Sequence, residues 1–92
     1  MRRLEIVHLR LSGPLPEALI RDIQESAAEQ RDFIELRIYR SLGVGTDLSI
    51  HLNIDARSND ARVTELGLRL TDALKAYGMV ERTLWSEVEP RR

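Results

Sequence analysis

Hydrophobic and polar residues alternate strictly through the segment TDLSIHLNID, residues 46–55. One side consists of Leu48, Ile50, Leu52 and Ile54, and the other of Ser49, His51, Asn53 and Asp55. A period of two is typical of a β-strand that buries one face and exposes the other. The segment therefore predicts a strand with an aliphatic core side, and it raises the question of what its polar side meets.

Three further segments predict strands. LEIVHLRL, residues 4–11, places Val7, Leu9 and Leu11 on its cleaner apolar side and ends at the breaker Ser12-Gly13-Pro14. FIELRIYRS, residues 33–41, has one aliphatic side and one side that is aromatic and charged. The last strand covers about residues 79–88, where the alternation is less clean. The glycines of Leu42-Gly43-Val44-Gly45 predict a turn with positive φ angles, so strands two and three should form a hairpin.

Two segments repeat their apolar residues at three- and four-residue steps, which is the spacing of a buried helix stripe. We predict helices over residues 16–30, with Pro16 in the first turn, and over residues 62–77, with Gly78 as the terminator. The first stripe is Leu19, Ile20, Ile23 and Ala27, and the second is Val63, Leu66, Leu70, Ala73, Leu74 and Tyr77.

The predicted order is strand, helix, strand, strand, helix, strand. Two right-handed strand-helix-strand crossovers in one sheet give a ferredoxin-like α+β fold, a four-stranded antiparallel sheet with both helices on one face and strands one and three at its centre. We expect the 92 residues to form a single domain, with an ordered core of about 3–89. The second face of the sheet has no helix to cover it.

The polar side of residues 46–55 should lie on this open face, because the polar sides of the strands project from it. Both histidines and most of the aromatic residues fall there. The expected residues are Ile6, His8, Arg10, Phe33, Glu35, Arg37, Tyr39, Ser49, His51, Asn53 and Trp85. Within this set we predict that five residues line a pocket for a small molecule, namely His8, His51, Arg37, Tyr39 and Trp85.

Composition removes several classes of function. Fourteen Lys and Arg against fifteen Asp and Glu leave a net charge of −1, so no overall field attracts nucleic acid or acidic lipid. The chain has no cysteine, which excludes disulfides, thiolate metal sites and thiol nucleophiles. We find no signal-peptide pattern and no stretch near the ~20 apolar residues of a membrane span. A cytoplasmic protein without nucleic-acid or membrane partners is the expectation.

The individual side chains leave the chemistry open. His8 and His51 could ligate a metal or act in acid–base catalysis, but no metal-binding spacing accompanies them, and hydrogen-bonded histidines in an interface are the more common case. Arg37, Arg10 and Glu35 could orient a carboxylate or form cross-strand ion pairs. The aromatic residues could stack on a flat ligand or anchor a subunit interface. We therefore assign no catalytic residue, no metal site and no cofactor.

Three parts of the sequence carry a family resemblance: the strand LEIVHLRL, the segment FIELRIYRS followed by a short turn and TDLSIHLNI, and a closing helix and strand. Together they resemble the dimeric α+β barrel superfamily, especially domains similar to antibiotic-biosynthesis monooxygenases. The resemblance extends from Leu4 to Val88. It implies that two open sheet faces pack into a barrel, and that some relatives oxygenate aromatic substrates without a cofactor or degrade haem with Asn, Trp and His. Asn53, Trp85, His8 and His51 do not align with those positions by motif, so this chemistry does not carry over.

A sheet with one uncovered face in so small a chain also predicts a homodimer through that face. Two functions then compete. The first is a monooxygenase-like domain that binds a small molecule on the open face. The alternative is a non-catalytic module, either one similar to ACT domains, with an effector near Ser12-Gly13-Pro14, or a structural dimerisation module. RNA binding in the manner of RRM domains has little support, because the aromatic pair expected on the central strands is absent.

Overall fold

The computed structural model describes residues 2–29, 35–55 and 61–88, and its elements follow the predicted order. The strands and helices are β1 Arg2–Leu11, α1 Leu19–Ala28, β2 Glu35–Arg40, β3 Asp47–Asp55, α2 Ala61–Leu74 and β4 Gly78–Ser86. They form a ferredoxin-like α+β fold.

The four strands form one antiparallel sheet in the order β2-β3-β1-β4. β1 and β3 therefore occupy the centre, as predicted. In the register Ile6 lies opposite His51 on β3 and opposite Thr83 on β4. Because side chains alternate between faces along each strand, these pairs determine which residues share a face.

The helix-covered face contains the core. Leu48, Ile50, Leu52 and Ile54 of β3 are all buried there, which confirms the face predicted from the alternation. Leu48, Ile50 and Leu52 pack in one cluster with the apolar side of β1 and with both helices. The buried helix residues in this cluster are Leu19, Ile23 and Ala27 of α1 and Leu66, Leu70 and Leu74 of α2.

Both helices are shorter than predicted. α1 begins at Leu19 rather than near Pro16, because Pro16 lies in a preceding turn in which its carbonyl accepts the Leu19 N–H at 3.1 Å. α2 ends at Leu74, before the predicted Tyr77. Ala73 is exposed, so it does not belong to the buried stripe as expected.

The expected roles of three glycines were wrong. No described glycine has a positive φ angle, so neither Gly43 nor Gly45 supplies one to the hairpin turn, and Gly78 is not a left-handed helix terminator. Gly78 is instead the first residue of β4, and a Cβ atom there would overlap the main-chain oxygen of Arg10. Its lack of a side chain is required by the close approach of β4 to β1.

One charged residue lies within the core face. Glu5 of β1 is fully buried beneath α2, and its Oε2 accepts hydrogen bonds from Arg82 of β4, from Nε at 3.1 Å and from Nη2 at 2.7 Å. Its Oε1 has no hydrogen-bond partner among the described residues. Burial raises the pKa of the Glu5 carboxyl, and the Arg82 guanidinium only partly opposes this shift.

Candidate functional site on the open sheet face

The open face carries the polar residues that the alternation predicted. The register brings Tyr39, Ser49, His8 and Glu81 into one row across the four strands, and Arg37, His51, Ile6 and Thr83 into the next. A third row contains Glu35, Asn53, Leu4 and Trp85. No described helix packs on this face, and all five predicted ligand-binding residues lie on it.

His8 is held by a carboxylate from the neighbouring strand. Its Nε2 lies 3.1 Å from Oδ2 of Asp47, and Arg10 donates from Nε to the other carboxylate oxygen at 3.3 Å. The Asp47 side chain is only 11% exposed, whereas that of His8 is 44% exposed. Asp47 is thus an enclosed acceptor between two side chains of β1, and His8 presents its ring to the surface.

The electrostatics of this cluster keep Asp47 ionised. Burial alone would raise the pKa of the Asp47 carboxyl, but hydrogen bonds from Arg10 and His8, reinforced by their charges, hold the pKa below its usual range. An ionised carboxylate bonded to Nε2 makes that nitrogen the protonated one in the neutral imidazole.

The second histidine has different surroundings. His51 Nε2 lies 2.9 Å from the Ser49 hydroxyl, and its ring centroid is 4.6 Å from that of Tyr39 at an interplanar angle of 54°. Burial lowers the pKa of the His51 imidazole. His51 is therefore a neutral, tilted stacking partner of Tyr39 rather than half of an ion pair.

Two cavities open beside His8. The first has a volume of about 210 Å³, lies toward β4 and is lined by His8, Arg10, Met79, Val80 and Glu81. The second, of about 200 Å³, lies toward β2, and its lining includes His8, Tyr39, Arg40, Ser41, Asp47 and Ser49. His8 is the side chain that both cavities share.

The two predicted residues not yet described are Arg37 and Trp85. Arg37 lies opposite His51 and forms an ion pair with Glu35, which is two residues earlier on the same strand, rather than the cross-strand pair that the alternative anticipated. Trp85 donates from Nε1 to the Thr83 hydroxyl at 2.9 Å. It lies opposite Leu4, four residues along β1 from His8, which corresponds to about 13 Å at the rise of a strand. The structure thus groups His8, Tyr39, His51 and Arg37 and leaves Trp85 apart.

Other sequence-based candidates receive less support. Phe33, expected on the open face, lies outside the described residues. The main-chain N–H and the hydroxyl of Ser12 both donate to the Tyr77 carbonyl, at 3.0 and 3.1 Å, so these two donors of the Ser12-Gly13-Pro14 loop are already used. Within the described residues, no group of three or more His, Asp or Glu side chains could hold a metal ion.

Asp47 and Arg40 were missed as site residues by sequence reasoning. Asp47 follows the alternation of Ser49 and His51, so the pattern alone could have placed it on the open face. Arg40 has the opposite parity on β2 and is nevertheless among the residues that line the second cavity, which periodicity does not predict.

Comparison with known proteins relates the chain to others through its structure alone. No protein-family model matches the sequence, and no curated protein does. Among the described residues, no helix is long and apolar enough to cross a membrane.

Several solved structures share the fold. SnoaB, a cofactor-independent oxygenase from Streptomyces nogalater, superposes with a TM-score of 0.69 at 15% identity, over 98% of each chain. Rv0793 from Mycobacterium tuberculosis gives a TM-score of 0.64 at 14% identity over 100% of each chain. A candidate antibiotic biosynthesis monooxygenase from Bordetella bronchiseptica gives 0.56 at 11% identity, over 95% of this chain and 97% of that one. The chain is therefore similar in fold to antibiotic-biosynthesis-monooxygenase-like α+β domains, as its strand and helix pattern predicted.

Proposed function

We propose that this chain binds a small organic molecule on the open face of its sheet, in the cavities beside His8, and that a second copy of the chain covers this face. The observation that carries the proposal is the position of His8. It joins two cavities on an uncovered sheet face, and an enclosed carboxylate holds its ring. A fixed polar group beside apolar and aromatic surface is typical of small-molecule sites.

The sizes of the cavities support the second copy. Each is about 200 Å³, below the ~300–1,000 Å³ of typical ligand sites, and both are open to solvent. A sheet that packed over them would add the missing wall and enlarge the enclosed space. The ligand site would then lie between two sheets.

The composition of the face is compatible with burial against another sheet. Tyr39, Met79 and Trp85 are 46%, 77% and 58% exposed, and all three project from the open face. Aromatic residues and Met are enriched in interfaces. The charged residues Arg10 and Arg37 already have acidic partners on the same chain, which reduces the cost of removing them from water.

A monooxygenase-like activity is the form of this proposal that the structural neighbours favour. SnoaB is a cofactor-independent oxygenase, and the Bordetella protein is a candidate monooxygenase. Their identities to this chain are 15% and 11%, so they support the fold class of the binding domain and leave its substrate open.

The ACT-like alternative needs free donors at the Ser12-Gly13-Pro14 loop. Both Ser12 donors are bonded to Tyr77, and α1 begins only at Leu19. The loop therefore lacks the helix start that would bind an effector anion. The open face is the better supported site.

Ligand screening by NMR tests the proposal. We expect aromatic fragments to shift the amide signals of β1 and β3 near His8, and we expect His8→Gln to weaken their binding. Lys75→Gln is the matched control, because Lys75 pairs with Asp72 at the end of α2 and away from this face. Fragment shifts confined to the Ser12 loop, or binding that His8→Gln leaves intact, would contradict the proposed site.

A further inference from the structure

The two histidines of the open face differ in how a gained proton would be balanced. His8 is hydrogen-bonded to the ionised carboxylate of Asp47, so the charge of a protonated His8 ring would be matched within the chain. The described partner of His51 Nε2 is the neutral hydroxyl of Ser49, at 2.9 Å. His51 is therefore the histidine whose protonation adds an unmatched charge to this face.

Among the described residues around the His51 ring, no acidic side chain is free. The neighbours on this face are Leu4, Ile6 and His8 of β1, Glu35, Arg37 and Tyr39 of β2, and Ser49 and Asn53 of β3. Glu35 is the only acid in this set, and it is ion-paired with Arg37, whose positive charge lies opposite His51. Glu81 belongs to β4, which β1 separates from β3. A protonated His51 would thus meet a cation across the strand pair and no unpaired anion of this set.

Solvent would have to stabilise a protonated His51 ring. The residue is half-buried in the single chain, where Tyr39 packs against it at a centroid distance of 4.6 Å, and this burial already lowers the pKa of the imidazole. A second copy on the open face would remove the remaining water. Burying a cation without a counter-charge is far more costly than burying the neutral ring.

We propose that protonation of His51 releases the second copy, so that the open face is covered at neutral pH and uncovered at mildly acidic pH. The occupant of the face is another copy of this chain, and His51 of both copies is the sensor. This inference rests on the proposed homodimer and adds its regulation. Because the second copy supplies a wall of the proposed ligand site, acid should release a bound ligand as well.

The direction of the effect follows from the surroundings of the ring. Dimerisation favours the neutral imidazole, so the pKa of His51 is lower in the dimer than in the single chain. The stability of the dimer is then fully present above the single-chain pKa and is lost as pH falls below it. In a symmetric pair both copies contribute this ring to the interface, so the dissociation constant depends on two protons.

Sedimentation velocity over a concentration series, at about pH 8 and at about pH 5.5, tests the inference. We expect the dissociation constant of the natural chain to rise at least about tenfold at the lower pH. His51→Phe keeps an aromatic ring beside Tyr39 but cannot be protonated, so its dimer should be insensitive to pH over this range. His51→Lys carries a permanent charge and should weaken the dimer at both pH values. Far-UV circular dichroism checks that each variant is folded in both buffers.

His8→Gln is the matched control, because it removes the other histidine of the chain. Its dimer should keep the pH dependence of the natural chain, whatever its affinity. A dissociation constant of the natural chain that is unchanged or smaller at the lower pH, or a pH dependence that survives in His51→Phe, would overturn the inference and leave the proposed homodimer standing. A natural chain that is monomeric at the higher pH would overturn both.

NMR titration of the His51 ring tests the same linkage without any substitution. Its pKa should be lower in concentrated samples, where the chain is dimeric, than in dilute ones, since dimerisation and proton binding oppose each other. Equal pKa values in a dimeric and a monomeric sample would show that the second copy does not bury this ring, and the inference would fall.

Discussion

The carboxylate of Glu5 packs directly against Gly67, at the point where α2 crosses β1. A Cβ atom at position 67 would overlap Glu5 Oε1. Gly67 is buried within a helix, where glycine costs roughly 1 kcal/mol relative to alanine. The glycine therefore allows α2 to approach a sheet that carries a buried acid. A side chain at position 67 would occupy the space that the Glu5 carboxylate fills.

Gly67→Ala should destabilise the protein, although alanine normally stabilises a helix relative to glycine. Because Glu5 is fully buried and bonded to Arg82, its displacement should lower the free energy of unfolding by about 1–3 kcal/mol. In a Glu5→Ala background the same substitution should be neutral or stabilising by up to about 1 kcal/mol. Urea denaturation of the four proteins measures this coupling, and additive effects would show that the two residues do not compete for space.

The free energy of unfolding of the Glu5→Gln variant should increase relative to that of the natural chain as pH rises. The folded-state pKa of Glu5 lies above its ordinary value of 4.5, so the folded protein binds this proton more tightly than the unfolded chain does. The stability gained from this tighter proton binding is fully present when the pH is below the ordinary Glu pKa, and it is lost as the pH rises through the folded-state pKa of Glu5. Denaturant unfolding from about pH 4 to about pH 8 should show the trend. An opposite slope would mean that Arg82 outweighs burial.

Gly78→Ala, at the first residue of β4, should destabilise the sheet more than alanine does at glycines outside the strands and helices. The overlap at position 78 is with the main-chain oxygen of Arg10, which cannot move without disturbing the pairing of β1 with β4. We expect a loss of about 2–4 kcal/mol. Gly13→Ala and Gly45→Ala are the controls, because nothing lies within 4 Å of a Cβ there and neither φ angle is positive. Both should fall within about 1 kcal/mol of the natural chain.

Trp85→Glu should weaken the proposed homodimer. The substitution places a charge on the open face of both copies, and we expect the dissociation constant to rise at least about tenfold, or about 1.4 kcal/mol. Leu68→Glu is the control, because Leu68 is 53% exposed on α2, on the other side of the sheet. Sedimentation velocity over a concentration series measures both. A natural chain that is monomeric at micromolar concentration would contradict the proposed assembly.

Most of the fold could be predicted because its signals are local. The alternation from Leu48 to Ile54 identified the buried face of β3, and the order of elements then implied the central position of β1 and β3. Helix ends were less accurate, since the turn at Pro16 and the end of α2 at Leu74 depend on main-chain bonds that leave little trace in composition.

The details of the site depend on contacts between distant residues. The placement of His8 on the open face followed from parity, but its bond to Asp47 requires the register of β1 against β3. Glu5 shares parity with Val7 and Leu9, yet an acid on the core side is intelligible only beside Arg82 and Gly67. Periodicity places a side chain on a face, whereas partners come from the tertiary structure.

The pairing of β1 with β4 has a consequence for synthesis. Arg3 is opposite Ser86 and Leu11 is opposite Gly78, so β1 gains its second neighbour only when β4, the last of these four strands in chain order, has been made. Closing such a long chain segment slows the search for the native topology. On the ribosome, β1 can pair with β3 before β4 emerges, and during that interval one edge of a central strand stays open to association with other nascent chains.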